Sequence, residues 1–209
     1  VLLTVAGSSC SGKTTAAAAC RDVERLVVHD FDEIGVPSDA NPAWRQRAMQ
    51  RWLERALELQ DQGVDLLLVG QSPLGEVLAA PSAVHLDGIA ACLLDVADHE
   101  RLRRLAHRDP GRWSPDAAQA FVGWAHWHRR HAVDPAHRHE VITSAGWPEM
   151  VWRRWLHWTS GDPRWRVRVI DTTGRPTSET GATLRQWVTD SRNEQTLGRP
   201  PLRSGWSDR

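Results

Sequence analysis

The sequence predicts an α/β domain, a parallel sheet with helices on both faces. Three observations predict it. Short apolar runs alternate with helix-period segments along most of the chain, the order that builds a parallel sheet with crossover helices. The first apolar run, 1–6, passes through a glycine-flanked loop straight into an alanine-rich helical segment. The later apolar runs end in acidic, polar or glycine residues, as strands do at the ligand-facing rim of such sheets.

In order, Val1 to Ala6 is a buried strand, and a first helix runs from about Lys13 to Arg21. Leu26-Val27-Val28 is a second strand, ending at His29-Asp30-Phe31-Asp32. After a loop from Gly35, Trp44, Ala48, Trp52, Leu53 and Ala56 recur near the 3.6-residue period, which predicts a helix from Pro42 to about Gln62, stopped by Gly63. Asp65 to Gly70 is the third strand, followed by one or two helical turns over 74–80. Ile89 to Val96 is a fourth strand. A helix beginning near Asp98 carries Arg101, Arg104, Leu105 and Arg108. Asp109 to Pro115 breaks it, and Ser114-Pro115 supplies an N-cap and first-turn pair for a helix to His131. Trp147 to Trp158 reads as a further helix, and Trp165 to Ile170 as the last strand. Asp171 to Pro176 is its rim loop, and Leu184, Trp187 and Val188 mark a final helix. From about 193 the chain is polar and rich in Gly, Pro, Ser and Arg, and is expected to be a loose tail to 209. The domain therefore spans 1–192, with 109–140 as a lid subdomain.

Formal net charge is zero, so no global field points to nucleic acid or an acidic membrane. Cys10, Cys20 and Cys92 are widely spaced, which fits a reducing, cytoplasmic setting better than a disulfide scaffold or a thiolate zinc site. No run approaches a membrane span, and the start reads as a strand rather than a secretory signal.

Residues 7 to 14 read Gly7-Ser8-Ser9-Cys10-Ser11-Gly12-Lys13-Thr14, the GxxxxGK[ST] Walker A phosphate loop, in the strand–loop–helix context it requires. Glycines let the backbone turn tightly, so N–H groups and the helix N-terminus, through Thr15, converge on phosphate. Lys13 would reach the β- and γ-phosphates, and the Thr14 hydroxyl would hold Mg²⁺. Lys13 is the sole lysine; the other 25 basic residues are arginine. A compact ammonium on a flexible stem suits this loop better than a guanidinium. Asp30 and Asp32 fall on the same rim. One can orient an acceptor hydroxyl and take its proton, and the other can hold a magnesium-bound water; alternatively, one of them caps the following turn. Positive charge to close over the phosphoryl group has candidates in Arg101, Arg104, Arg108, Arg112, Arg129, Arg130 and Arg138.

These pieces together resemble the small P-loop kinases of the shikimate, gluconate, adenylate and chloramphenicol kinase type, and the chain also resembles uncharacterised actinobacterial ATP-binding proteins. The resemblance rests on the loop at 7–14, the Asp-x-Asp at 30–32, Leu-Leu-Leu-Val-Gly-Gln at 66–71, Leu-Leu-Asp-Val followed by Arg101, Arg104 and Arg108, and the rim loop at 171–176. It implies a three-layer α/β/α fold, a five-stranded sheet ordered 2-3-1-4-5, a helical lid, and ATP with Mg²⁺. By the same resemblance Arg104 and Arg108 lie near ATP, and Thr173, Gly174, Arg175 and Pro176 near adenine. The shikimate type makes Asp30 the magnesium-side residue and Asp32 the substrate residue; the chloramphenicol type favours Asp30 as the base. Gly70-Gln71-Ser72-Pro73 departs from the shikimate glycine run.

The acceptor is expected against the 37–52 region, with Trp44, Arg45, Arg51, Gln71, Ser72 and either Trp124 or Trp127 as contacts. The expected activity is phosphorylation of a hydroxyl on a natural product, antibiotic, nucleoside or sugar, by a monomer or homodimer. The rivals are a nucleotide-binding regulator or NTPase and a polynucleotide 5′-hydroxyl kinase. His126, His128 and His131 lack the pattern of a zinc site and read as surface or lid residues.

Overall fold

The computed structural model describes residues 1–200 and 202–208. Its centre is β1 (Leu2–Ala6), every residue of which is buried. The sheet runs β2 (Leu26–Asp30), β3 (Asp65–Val69), β1, β4 (Gly88–Asp95), β5 (Val167–Asp171), all parallel. This is the expected order. Register fixes the functional rim: Asp30 lies opposite Val69, Val5 opposite Val69 and Cys92, and Asp95 opposite Asp171. The residues that follow the strand ends, Gly7, Phe31, Gly70, Val96 and Thr172, therefore emerge along one edge.

One face is covered by α1 (Lys13–Ala17) and α7 (Thr177–Thr196), with Leu184 and Val188 fully buried against Leu3, Val5 and Leu67. The first helix is shorter than expected and ends in a 3-10 turn at Ala18–Cys20. The other face carries α2 (Pro42–Asp61), which buries Ala48, Met49, Trp52, Leu53, Ala56 and Leu59, and α3 (Leu74–Ala79). α4 (Asp98–Arg108) and α5 (Pro115–His131) follow β4, and Ser114 Oγ caps α5 as expected by accepting from Ala117 N at 3.2 Å.

Two segments differ from expectation. Apart from the short α6 (Glu140–Thr143), the stretch before β5 is irregular, and Trp147 to Trp158 forms only a 3-10 turn at Trp152–Arg154. Its polar groups serve α3 instead. Arg154 Nη1 donates to the Leu78 and Ala80 carbonyls, Val151 N donates to Ala79 O at 2.7 Å, and Trp155 Nε1 donates to Gly75 O at 2.8 Å. At Leu78 and Ala79 these donors satisfy helix-end carbonyls that have no partner within α3, while Ala80 lies just past the helix and Gly75 in its first turn. Position 75 must be glycine, because a Cβ there would lie 2.6 Å from the Trp155 ring.

The second difference is the tail. α7 continues to Thr196, and β6 (Leu202–Arg203) pairs antiparallel with Gly88 and Ile89 at the start of β4. β5 covers β4 only from Ala91 onward, so β6 fills the edge that β5 leaves open. The sheet thus has six strands and is mixed rather than purely parallel. Trp206 is 1% exposed and meets Trp158 edge-on at 5.9 Å. A polar composition hid two apolar anchors, Leu202 and Trp206.

The tryptophans mostly build core. Trp127 stacks on His131 at 4.5 Å, and His131 meets Trp155 and Trp165 edge-on. His128 and His131 are buried, not surface residues; desolvation lowers their pKa values to about 3 and about 4.

Removing the Trp206 ring should cost about 3–5 kcal/mol, so Trp206→Ala should lower the urea midpoint sharply, whereas a loose tail would leave it unmoved. The buried histidines set a pH dependence of stability. The unfolded chain takes up their protons below about pH 6.5 and the folded chain does not, so stability present at neutral pH is lost as pH falls toward 4. By pH 5 the loss should reach about 2 kcal/mol per histidine. Urea titrations at pH 7 and 5 measure it, and His131→Phe should remove its own share, about 2 kcal/mol, and leave that of His128.

Candidate active site

The loop between β1 and α1 wraps the sheet edge with unusual backbone angles. Gly12 has φ +89°, and a Cβ at Gly7 would lie 2.4 Å from the Leu94 carbonyl oxygen. Cys10 also takes positive φ. Ser8 and Ser11 are buried in the loop frame together with Gly7. Ser9, Cys10, Gly12, Lys13, Thr14 and Thr15 line a cavity of about 1080 Å³ that runs along the rim.

Lys13 Nζ donates to the carbonyls of Gly7 at 2.8 Å and Ser8 at 3.3 Å. Burial lowers its pKa to about 8, partly offset by the Asp30 carboxylate. Thr14 Oγ1 donates to Asp30 Oδ2 at 2.9 Å. A hydroxyl and a carboxylate oxygen side by side at a phosphate loop form the hard-oxygen donor pair that suits Mg²⁺ bound jointly with phosphate.

Asp30 has a second task. It ends β2 and caps the 3-10 turn Phe31–Ile34, its Oδ1 accepting from Asp32 N at 3.1 Å while Glu33 reaches back to Asp30 N at 3.0 Å. The strand stops at Asp30, so Asp32 reaches the cavity from the turn rather than by strand alternation. Trp52 Nε1 donates to Phe31 O at 3.0 Å and pins that turn. Burial, then the charge of Asp30, raises the Asp32 pKa. A carboxylate so placed holds a hydroxyl proton more readily than an unperturbed one.

The arginines divide into two kinds. Arg101 was expected to face phosphate but is fully buried beneath the loop. Its Nη1 donates to Ser9 O at 2.6 Å and its Nη2 to Asp95 Oδ1 at 2.7 Å. Arg129 binds the same Asp95 and also Asp98. Arg103, Arg104 and Arg108 line the cavity. Arg104 spans two loops, donating to Cys10 O, to Thr172 Oγ1 at 3.0 Å and to Thr172 O at 2.9 Å. With Arg103 it holds Glu100, whose pKa falls to about 2 through these bonds. Arg108 pairs with Asp109. Arg112 lies over the Trp113 ring, and Arg130 and Arg138 line a separate groove, so these three stand away from the main cavity.

At the β5 end, Thr172, Arg175, Pro176, Thr177 and Thr180 line the cavity. Thr173 turns away, receiving Ala97 N on its hydroxyl at 2.8 Å and donating to Asp171 at 2.6 Å, and Gly174 is also outside the lining. At the β2–β3 end the lining is Phe31, Asp32, Trp44, Arg45, Gly70, Gln71, Ser72, Ala120, Phe121 and Trp124. Arg51 is exposed on α2 outside the cavity, which corrects its expected contact role. Of the two tryptophan alternatives Trp124 lines the cavity; Trp127 lies behind it, stacked at 4.7 Å.

The segment expected as a lid is anchored at its C-terminal half by buried Val122, Ala125, Trp127, His128 and His131. Its N-terminal half crosses the phosphate loop, where Ser8 Oγ donates to Phe121 O at 2.7 Å. Sequence reasoning missed Phe121 and missed Glu76, a fully buried acid paired with Arg45. Its one signal was a lone carboxylate in the apolar run Leu74 to Ala80.

Among the described residues, no helix is long and apolar enough to cross a membrane. No protein-family model matches the sequence, and no curated protein matches it. Solved structures do. A sugar kinase from Janibacter sp. HTCC2649 superposes with a TM-score of 0.58 at 15% identity, over 93% of this chain and 96% of that one. A gluconokinase from Sinorhizobium meliloti 1021 superposes with a TM-score of 0.55 at 17% identity, over 93% and 95%. At these identities the likeness concerns the fold: a P-loop kinase-like α/β/α sandwich, as the loop and the strand order foretold.

Proposed function

We propose that the chain transfers the γ-phosphoryl group of ATP to a hydroxyl of a small molecule. The observation that carries this reading is the juxtaposition of Lys13, the Thr14–Asp30 pair and Asp32 in one cavity, with room for an acceptor beyond Asp32. A nucleotide binder needs the first three; the acidic turn delivering Asp32 to the far half gives a hydroxyl a partner.

In this reading the loop N–H groups and Lys13 hold the β- and γ-phosphates, and Arg103, Arg104, Arg108 and Arg175 border the nucleotide. Mg²⁺ held by Thr14 and, directly or through a water, by Asp30 would neutralise charge on the phosphate oxygens. Asp32 orients the acceptor hydroxyl. The bond from γ-phosphorus to the acceptor oxygen forms as its bond to the β,γ-bridging oxygen breaks. ADP leaves with that electron pair, and the hydroxyl proton passes to Asp32 and then to solvent. The stretch 109–121, leaning on Ser8, excludes water from the transferring group.

Asp32→Asn should lower kcat by about 10²- to 10⁴-fold with ATP affinity nearly unchanged, measured by product formation and calorimetry. Wild-type turnover in that variant would exclude Asp32 as the base. Lys13→Ala should abolish nucleotide binding, since no other lysine can replace it. Because the free protein loses the Lys13 charge above about pH 8, and bound phosphate would hold the proton on, the ATP Kd should rise as pH passes 8. The slope should approach about tenfold per pH unit, read by titration between pH 7 and 9.5.

A further inference from the structure

The cavity is electrically divided, and the division bears on the acceptor. Its β4–β5 half is bordered by Lys13, Arg103, Arg104, Arg108 and Arg175. Arg108 pairs with Asp109 and Arg175 with Glu179, but Arg103 and Arg104 share the single carboxylate of Glu100, and Lys13 is held by carbonyl oxygens alone, so this half keeps a net positive charge for phosphates. The β2–β3 half is the opposite. Its charged side chains are Asp30, Asp32 and Arg45. Arg45 is already neutralised: Nε donates to Glu76 Oε1 at 3.0 Å, and Nη2 donates to the same oxygen. Glu76 is fully buried, and its other oxygen has no hydrogen-bond partner. Drawing Arg45 away would strand a buried carboxylate, which is strongly unfavourable.

The walls around this half are aromatic and held rigid. Trp124 stacks on Trp127 at 4.7 Å, and Trp127 on His131 at 4.5 Å, so a column of rings runs from the cavity wall into the core. Trp44 stands edge-on to Phe31 at 6.1 Å, and Phe121 lies beside Trp124 in the lining. The Arg45 guanidinium lies over the Trp124 ring at 5.8 Å. Gln71 and Ser72 add neutral polar groups; the buried Ser72 hydroxyl has no protein partner.

Resting on the phosphotransfer reading above, we infer that the acceptor is a hydroxylated molecule with an apolar or ring-bearing body and no anionic group of its own. A carboxylate or phosphate on the acceptor would face Asp32 and meet no uncompensated cation in this half. A neutral ring meets Trp124, Phe121 and Trp44, and its hydroxyl meets Asp32. The Arg45–Glu76 pair is the specificity element: Glu76 keeps the one guanidinium that the described residues bring to this half from serving as an anion receptor.

The test is phosphoryl transfer from ATP, scored by mass spectrometry over a library of hydroxylated compounds arranged in pairs matched in body and hydroxyls and differing in charge. Phenyl glucoside with 4-carboxyphenyl glucoside and uridine with 5-carboxyuridine are two such pairs, each keeping every hydroxyl. Neutral members should exceed their anionic partners by at least about tenfold in kcat/KM. Glu76→Gln, which nearly keeps shape while releasing Arg45, should narrow or reverse that ratio. Nucleotide binding and thermal midpoint report that this variant is folded. If Glu76→Gln does not fold, Arg45→Gln/Glu76→Gln removes the pair together and should keep the neutral preference. Preference of the wild type for anionic members would overturn the inference and leave the kinase reading standing. A folded Glu76→Gln with undiminished discrimination, or a double variant that comes to prefer anionic members, would also overturn it. Absence of transfer to every compound, with ATP hydrolysed at the same rate without acceptor, would overturn the phosphotransfer reading and this inference with it.

Discussion

The site depends on one buried guanidinium. Arg101 lies under the phosphate loop and joins the Ser9 carbonyl to Asp95 at the end of β4. Asp95 also receives Arg129 from α5. One carboxylate thus ties together the loop, α4 and α5. A buried ion pair of this kind adds little net stability over apolar packing, because desolvation cancels most of the attraction. Its value is geometric. The loop takes backbone angles that its sequence alone would not hold at Cys10, and a carbonyl pinned from below limits the alternatives. Burial lowers the Arg101 pKa, with Asp95 opposing and Arg129 adding to it, but a guanidinium retains its charge far above neutral pH. The anchor therefore persists across the pH range in which Lys13 titrates.

Around this anchor the sheet order distributes chemistry. β1 is central, so the loop after it sits in the middle of the rim, with β2 and β3 on one side and β4 and β5 on the other. Arginines from α4 and the β5 loop gather on the second side, and the acidic turn after β2 stands on the first. A phosphoryl group passing from one side to the other would cross directly over Lys13 and Thr14. The arrangement follows from strand order and strand-end residues, with no need for a second domain.

Much of this was legible from sequence for a simple reason: the phosphate loop and each strand-end motif are contiguous, and rim placement follows from parallel topology. Asp30 and Asp32 could be put at the site from two short runs of residues. Arg101 could not be assigned, because helix spacing places a side chain on a face without saying whether it points over the loop or beneath it. Arg51 shows the same limit on α2: its neighbours within two turns, Ala48, Trp52 and Ala56, are buried while it faces outward. The Arg45–Glu76 pair joins residues 31 apart on different helices, and nothing local to either announces the other. The C-terminal segment misled because average polarity says nothing about two well-placed anchors. Trp206 fills a core position, and Leu202 covers the part of β4 that β5 leaves open.

The uneven use of basic residues acquires a physical account in this light. Arginine suits paired sites, since its planar fork can bind a carboxylate and backbone carbonyls at once, as Arg101, Arg104 and Arg129 do. Each such arginine is tied to a carboxylate partner. On the proposed reading the loop requires the reverse: a cation that remains uncompensated until phosphate arrives. Lys13 rests on two carbonyl dipoles and has no carboxylate within ion-pair distance among the described residues. Its lowered pKa reflects desolvation at that half-buried, carbonyl-lined position. A guanidinium at the same place would need more room and more acceptors than Gly7 and Ser8 offer, and would tend to recruit Asp30 away from Thr14. A single lysine among arginines fits a cavity in which most of the other cations are committed to holding the walls.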